Sequence, residues 1–200
     1  MIKNIIFDIG DVLCDYRWRD FLRDKGIDGE LLERVAKATT KSAFWPELDR
    51  GVLSDEELLD GLVKNDPEIE KEIRLGFSNF RNICVMRDYA IPWVKELKAR
   101  GYNVYYLSNY TRKNLIDGPD SVEFTKYMDG GVYSCYAHAV KPERKIYECL
   151  LEKYSLKAEE CLFIDDSQKN IDAARELGFN VILFESRGQV LKDMKERFGI

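Results

Sequence analysis

Four short apolar runs that each end on a polar residue constrain this chain more than any other feature: Ile5-Ile6-Phe7 before Asp8, Val104 to Leu107 before Ser108, Cys161 to Ile164 before Asp165, and Val181 to Phe184 before Glu185. Runs this short and this uniformly apolar suit strands covered on both faces of a parallel sheet. Val132 to Cys135 is a weaker fifth strand candidate. Between the runs lie helical stripes. Ala90, Trp93, Val94 and Leu97 fall at i, i+3, i+4 and i+7, closed by Gly101, and Ile146, Cys149, Leu150 and Tyr154 repeat the pattern behind Pro142. Alternating strand and helix predicts an α/β fold with a doubly wound, Rossmann-like parallel sheet. Ligands on such sheets sit at the carboxyl ends of the strands, where Asp8, Ser108 and Asp165 all fall.

From about Tyr16 to Met86 the strand signal vanishes and helical patterns remain: Leu31, Val35 and Ala38; Ser54 with Glu57 as a capping box before Leu58, Leu59 and Leu62; and Ile69, Ile73, Phe77 and Phe80 after Asp66-Pro67. This predicts a catalytic core at 1–15 and 87–200 and an inserted all-helical cap at 16–86. An insert after the first strand would stand over the strand ends as a lid.

A formal net charge of -5 among 34% charged residues speaks against nucleic acid or an anionic membrane as partner, and no run is long enough to span a bilayer. A small diffusible substrate fits better, with the protein a monomer or dimer. The five cysteines are scattered without a CxxC spacing, which indicates neither a disulfide framework nor a zinc site. Buried thiols in a reducing compartment, and so a cytoplasmic protein, are the expectation.

Four motifs in order carry a family resemblance over nearly the whole chain: the apolar run into Asp8, Leu107-Ser108-Asn109, Lys141-Pro142, and Phe163-Ile164-Asp165-Asp166 followed by Asn170. Together they resemble the haloacid dehalogenase (HAD) superfamily, in its subfamily IA form with a helical cap. The resemblance implies a Mg²⁺-dependent phosphatase acting on a small phosphorylated metabolite. Asp8 would be the nucleophile that becomes an aspartyl phosphate, Ser108 and Asn109 would bind the phosphoryl oxygens, and Lys141 would neutralise phosphoryl and Asp8 together. Mg²⁺ would be held by Asp8, the Gly10 carbonyl, Asp165 and Asp166; paired carboxylates are an electrostatic cost that a hard cation relieves. Asn170 is expected to orient Asp166 or Lys141, and Ser167 to cap the helix after the pair.

One departure matters. The usual first motif of these phosphatases reads Asp-x-Asp, with the second Asp as general acid and base, and here that position is Gly10. General acid-base help is typically worth ~10² to 10⁴ in rate. The form Asp8-x-Gly10-Asp11-Val12 is similar to the subgroup that includes α-D-glucose-1-phosphate phosphatase, which implies a sugar phosphate such as a hexose 1-phosphate. Alternatively Asp11 or Asp15 substitutes as the acid, or the chain binds phosphate compounds with impaired hydrolysis. The 2-haloacid dehalogenases, which also lack the second Asp, are the sharpest enzymatic rival, but they lack the paired carboxylates. Among lid residues Trp45, Arg50 and Tyr16 could face a substrate, although core or surface duty is the commoner role for each. His138 is expected to be a loop residue without catalytic duty.

Overall fold

The computed structural model describes residues 1–200. Strand β1 (Asn4–Phe7) leads into β2 (Cys14–Tyr16), and then come five helices, α1 (Trp18–Arg23), α2 (Gly29–Ala38), α3 (Trp45–Arg50), α4 (Asp55–Val63) and α5 (Glu70–Phe77), before β3 (Cys84–Met86). The remainder runs α6 (Ala90–Ala99), β4 (Asn103–Ser108), α7 (Arg112–Asp117), β5 (Gly130–Tyr133), α8 (Ser134–Ala137), α9 (Arg144–Tyr154), β6 (Cys161–Asp165), α10 (Gln168–Glu176), β7 (Asn180–Leu183) and α11 (Arg187–Asp193).

Five strands form a wholly parallel sheet in the order β5-β4-β1-β6-β7. The apolar residues of β1 divide between its faces. Ile5 and Phe7 pack with Trp93, Val94 and Leu97 of α6 and Val190 of α11, whereas Ile6 packs with Ile146, Tyr147 and Leu150 of α9 and Ile171 and Ala174 of α10. Helices therefore cover both faces, as uniformly apolar strands require. Full burial of each such side chain is worth ~1.5–3 kcal/mol. The Phe7 and Trp93 rings meet edge to face at 4.7 Å.

Register positions the site. Phe7, in the central strand, pairs with Tyr106 on one side and Ile164 on the other. Asp8 and Asp165 directly follow those pairs and Ser108 lies two residues beyond Tyr106, so the three emerge together at one edge of the sheet. The chain runs from β1 out through β4 to β5, then crosses back to β6 and β7, so the strand order reverses beside β1, where an open α/β sheet leaves a crevice.

The stretch between Tyr16 and Met86 is helical in its interior but not at its ends. There β2 and β3 pair antiparallel, Cys14 with Met86, Asp15 with Val85 and Tyr16 with Cys84. Strands of three residues with only one buried side chain each carry too short a period to read from sequence. The Ser54–Glu57 capping box forms as expected, with the Ser54 N–H donating to Glu57 Oε2 at 2.8 Å and the Glu57 N–H to Ser54 Oγ at 3.3 Å. Phe77 is the centre of the aromatic packing in this region, its ring 6.2 Å from Phe21, 5.5 Å from Trp45 and 5.6 Å from Phe80.

The fifth strand lies at Gly130–Tyr133 rather than 132–135. Gly131 sits flat against Tyr106, where an added Cβ would lie 2.4 Å from the Tyr106 carbonyl, so a Gly-Gly pair that resembles a turn is a strand by necessity of space. At Ser134 the chain turns into α8, its hydroxyl accepting the Tyr110 N–H at 2.9 Å. The last strand also starts one residue earlier than expected, at Asn180. Cys14, Cys84, Cys135 and Cys161 are buried free thiols and Cys149 is half-buried. No helix is long and apolar enough to cross a membrane.

Candidate active site

At the edge where β1, β4 and β6 end, a buried ammonium bridges two buried carboxylates. Lys141 Nζ lies 2.7 Å from Asp8 Oδ1 and 2.6 Å from Asp165 Oδ2. Asp165 is 0% exposed, Lys141 3% and Asp8 8%, so none of the three is screened by bulk water. Each charge is also hydrogen-bonded. The Ile9 N–H donates to Asp8 Oδ1 at 2.7 Å, the Ser167 N–H to Asp165 Oδ1 at 2.8 Å, and Asn170 Nδ2 to both Asp165 oxygens at 3.0 and 3.1 Å. Asn170 thus holds Asp165 rather than Asp166 or Lys141, because α10 brings its amide back over the buried member of the acid pair. Ser167 occupies the cap position of α10 through its backbone carbonyl, which accepts from Asn170 and Ile171; its side chain makes no capping bond.

Lys141 reaches this position from the loop before α9. The Asn109 side chain holds its backbone twice, accepting the Lys141 N–H at 2.7 Å and donating to the Lys141 carbonyl at 3.1 Å. Ser108 is buried beside it, and its hydroxyl has one long contact, 3.5 Å to the Asn109 carbonyl, which leaves it available to another acceptor.

Carboxylate oxygens of Asp8, Asp165 and Asp166 lie within 4.8 Å of one another. One lysine among three carboxylates leaves two negative charges unbalanced at this edge, the amount a divalent cation supplies, and an all-oxygen donor set suits Mg²⁺. The residues fit such an ion. Burial raises the Asp8 carboxyl to about 7, with Lys141 opposing and Asp165 and Asp166 reinforcing the shift. Burial also raises Asp166, helped by Asp165 and Asp11. For Lys141 burial alone would lower the ammonium, but Asp165 and Asp8 together hold it above its ordinary value.

A cavity of about 230 Å³ opens onto this edge, with Asp8, Gly10, Asp11, Asn109 and Asp166 on the sheet side and Trp45 and Asp49 of α3 on the other. Tyr16 also lines it, its hydroxyl buried without a partner. A larger cavity of about 430 Å³ shares Phe80 and Thr111 with it and is lined by Leu58, Leu59 and Ile116. Gly10 leaves open space, for a Cβ there would meet no atom within 4 Å. Of the acids proposed to stand in for the missing one, Asp15 is drawn away into an ion pair with Arg87 at 2.7 Å, and Asp11 accepts the Tyr16 N–H at 3.2 Å. Arg50 is not in the cavity wall; it forms a fork with Glu143 at 3.0 and 2.8 Å and pins α3 to the head of α9. His138 is a loop residue whose Nδ1 lies 3.2 Å from the Arg50 carbonyl.

The residue that sequence reasoning missed is Asp49. It is half-buried on α3, lines the cavity opposite Asp8, and its carboxylate has neither an ion-pair nor a hydrogen-bond partner. Burial and the charge on Asp8 raise it to about 7 against the pull of Lys141. Its sequence context, a charged residue between Leu48 and Arg50 on a short helix, reads as surface; only the fold of α3 over β1 reveals it.

A profile of haloacid dehalogenase-like hydrolases matches residues 2–178, and the chain belongs to that family. D-ribitol-5-phosphate phosphatase from Bacteroides thetaiotaomicron is 30% identical over 197 residues, covering 90% of each chain. Drimenol cyclase from Aspergillus calidoustus is 25% identical over 206 residues, which is 100% of this chain but 37% of that protein. Among solved structures, a HAD-family enzyme from Bacteroides thetaiotaomicron in complex with magnesium and inorganic phosphate superposes with a TM-score of 0.71 at 22% identity, over 95% of this chain and 99% of that one. That superposition establishes a shared fold.

Proposed function

We propose that this hydrolase is a Mg²⁺-dependent phosphatase that cleaves a small phosphorylated metabolite, a sugar phosphate such as a hexose 1-phosphate, through an aspartyl phosphate on Asp8. The observation that carries the reading is the Lys141 ammonium held between Asp8 and Asp165 with Asp166 alongside. A structural ion pair needs one carboxylate. Three clustered carboxylates, two of them bridged by one lysine and two lining a cavity, form an arrangement for a dianionic ester and a cation. The phosphatase relative is in keeping with it.

Asp8 supplies the attacking oxygen, and Lys141 draws the phosphoryl group toward it while opposing the rise that burial imposes on the Asp8 carboxyl. Ser108 donates its hydroxyl to a phosphoryl oxygen, and Asn109 fixes Lys141 through the two backbone bonds. Asp8, Asp165, Asp166 and the Gly10 carbonyl would hold Mg²⁺, whose charge would offset that of the phosphoryl oxygens and favour the ionised form of Asp8. Helices α1 to α5, within 16–86, act as the cap that closes the cavity, with the core at 1–15 and 87–200.

A second reading, halide displacement from a small 2-haloacid, is favoured by one feature, Gly10. Asp166 speaks against it, since ester chemistry on a carbon centre calls for no cation. The test is phosphate release from a panel of sugar phosphates and p-nitrophenyl phosphate, with Mg²⁺ or EDTA. Release that requires Mg²⁺ supports the phosphatase; chloride release from 2-chloropropionate with no phosphate release overturns it.

A further inference from the structure

The fold leaves the reaction one proton carrier short. Cleaving a phosphate ester of an ordinary alcohol needs a proton on the departing oxygen, and Gly10 stands where these phosphatases carry the acid. Each other acid near the cavity is engaged: Asp8 and Asp165 by Lys141, Asp11 by the Tyr16 N–H, Asp15 by Arg87. Asp166 belongs to the cation-binding set.

We propose that Asp49, brought over the cavity by the cap helix α3, is the catalytic proton donor and acceptor of this enzyme in place of Gly10. The assignment rests on the phosphatase reading above. Asp49 shares the cavity wall with Asp8 and Gly10, and no side chain pairs with its carboxylate.

The helix is fixed where a catalytic group needs it fixed. The Asp49 carbonyl accepts the Ser134 hydroxyl at 2.7 Å, Leu48 beside it is buried, and Arg50 beyond it is forked onto Glu143. Gly51 then ends α3 with φ +67°, its Cα so close to Cys135 that a Cβ would lie 2.5 Å from that carbonyl. Asp49, Arg50 and Gly51 thus tie a cap helix to the core beside one free carboxylate. The hydroxyl of Tyr16, buried and unpartnered in the same wall, adds a polar group on that side of the cavity.

The proton ledger closes on these residues. In the first step an Asp8 oxygen bonds to phosphorus, the bond from phosphorus to the leaving oxygen breaks, and the Asp49 carboxyl proton passes to that oxygen. Alcohol departs, leaving Asp8 phosphorylated and Asp49 ionised. In the second, water bonds to phosphorus while Asp49 takes its proton and the bond from phosphorus to Asp8 breaks. Phosphate leaves, Asp8 is a carboxylate again, and Asp49 is protonated for the next turnover.

A series of ring-substituted phenyl phosphates with Mg²⁺ tests this, since shape is constant while the basicity of the leaving phenolate varies. In Asp49→Asn, an isosteric change, kcat/KM, which reports the first step alone, should fall ~10²–10⁴-fold for phenyl phosphate but less than about tenfold for p-nitrophenyl phosphate, whose leaving group needs no proton. Adding Gly10→Asp to that variant should restore phenyl phosphate turnover, because the space beside Asp8 is open. Equal losses of kcat/KM across the series, or none, overturn the role of Asp49 while leaving the phosphatase reading intact. A native chain inert to every ester overturns both.

Discussion

The side chain of Asn109 clamps the backbone of Lys141 at both its N–H and its carbonyl, with bonds of 2.7 and 3.1 Å. A residue at the end of β4 therefore sets where the ammonium from a different loop arrives between Asp8 and Asp165. Asn109→Ala should cost about 1–3 kcal/mol in urea unfolding, the range for leaving buried polar groups unsatisfied. It should also lower kcat by ~10²-fold, since displacement of a catalytic group by an ångström has that effect. Unchanged kcat would mean that Lys141 is positioned by its own ion pairs.

Lys141→Met removes the cation from between two buried carboxylates. Breaking a buried ion pair in this way costs about 3–5 kcal/mol. The loss should appear in full in EDTA and shrink when Mg²⁺ is added, because the divalent ion supplies part of the missing charge. Chemical denaturation under the two conditions measures both.

The same charges set a pH dependence. Asp8 and Asp49 are each raised from 3.8 to about 7, so between those values the folded chain holds protons that the unfolded chain has released. Their contribution to stability is present at low pH and is lost as pH rises toward 7. At the proposed site Mg²⁺ would bind only the ionised form of Asp8. The stabilisation it confers, read as the shift in urea midpoint, should therefore grow between about pH 5 and about pH 7. A shift that shrinks over that interval would place the metal elsewhere.

Two glycines should respond oppositely to a side chain. At Gly51 a Cβ meets the Cys135 carbonyl at 2.5 Å and φ is +67°, so Gly51→Ala should lower stability by about 1–3 kcal/mol. At Gly10 nothing lies within 4 Å, so Gly10→Asp with Mg²⁺ present should stay within about 0.5 kcal/mol of native. Thermal melts of the two variants check the contrast.

Burial pushes the thiols of Cys84, Cys135 and Cys161 up to about 11, and that of Cys14 further still. The thiolate is the reactive form. Iodoacetamide at neutral pH should therefore add to Cys149 alone, as intact mass would show, and to all five cysteines in urea. Two or more adducts on the native chain would contradict the packing.

The three strands that carry the site, β1, β4 and β6, were legible because each is an unbroken apolar run, and burial on both faces of a central sheet writes itself into composition. Asp8, Ser108, Lys141 and Asp165 were legible for a related reason, since the motifs that hold them are contiguous. What escaped was short or depended on distant pieces meeting. The β2–β3 ribbon has three residues a side. The Gly130-Gly131 strand exists because of Tyr106, and the partner of Asn170 is decided by how α10 lies over β6. Asp49 reaches the cavity only through the placement of α3 by Ser134 and Glu143, residues more than eighty positions away.

The central claim is that Asp8 carries the phosphoryl group, and trapping it tests that claim most directly. Native chain mixed with p-nitrophenyl phosphate and Mg²⁺, quenched in acid within the first turnovers and digested, should yield the Asp8 peptide heavier by one phosphoryl group. The adduct should be absent with EDTA and in Asp8→Asn. Phosphate release that persists in Asp8→Asn, with no adduct on the Asp8 peptide of the native chain, would contradict the account.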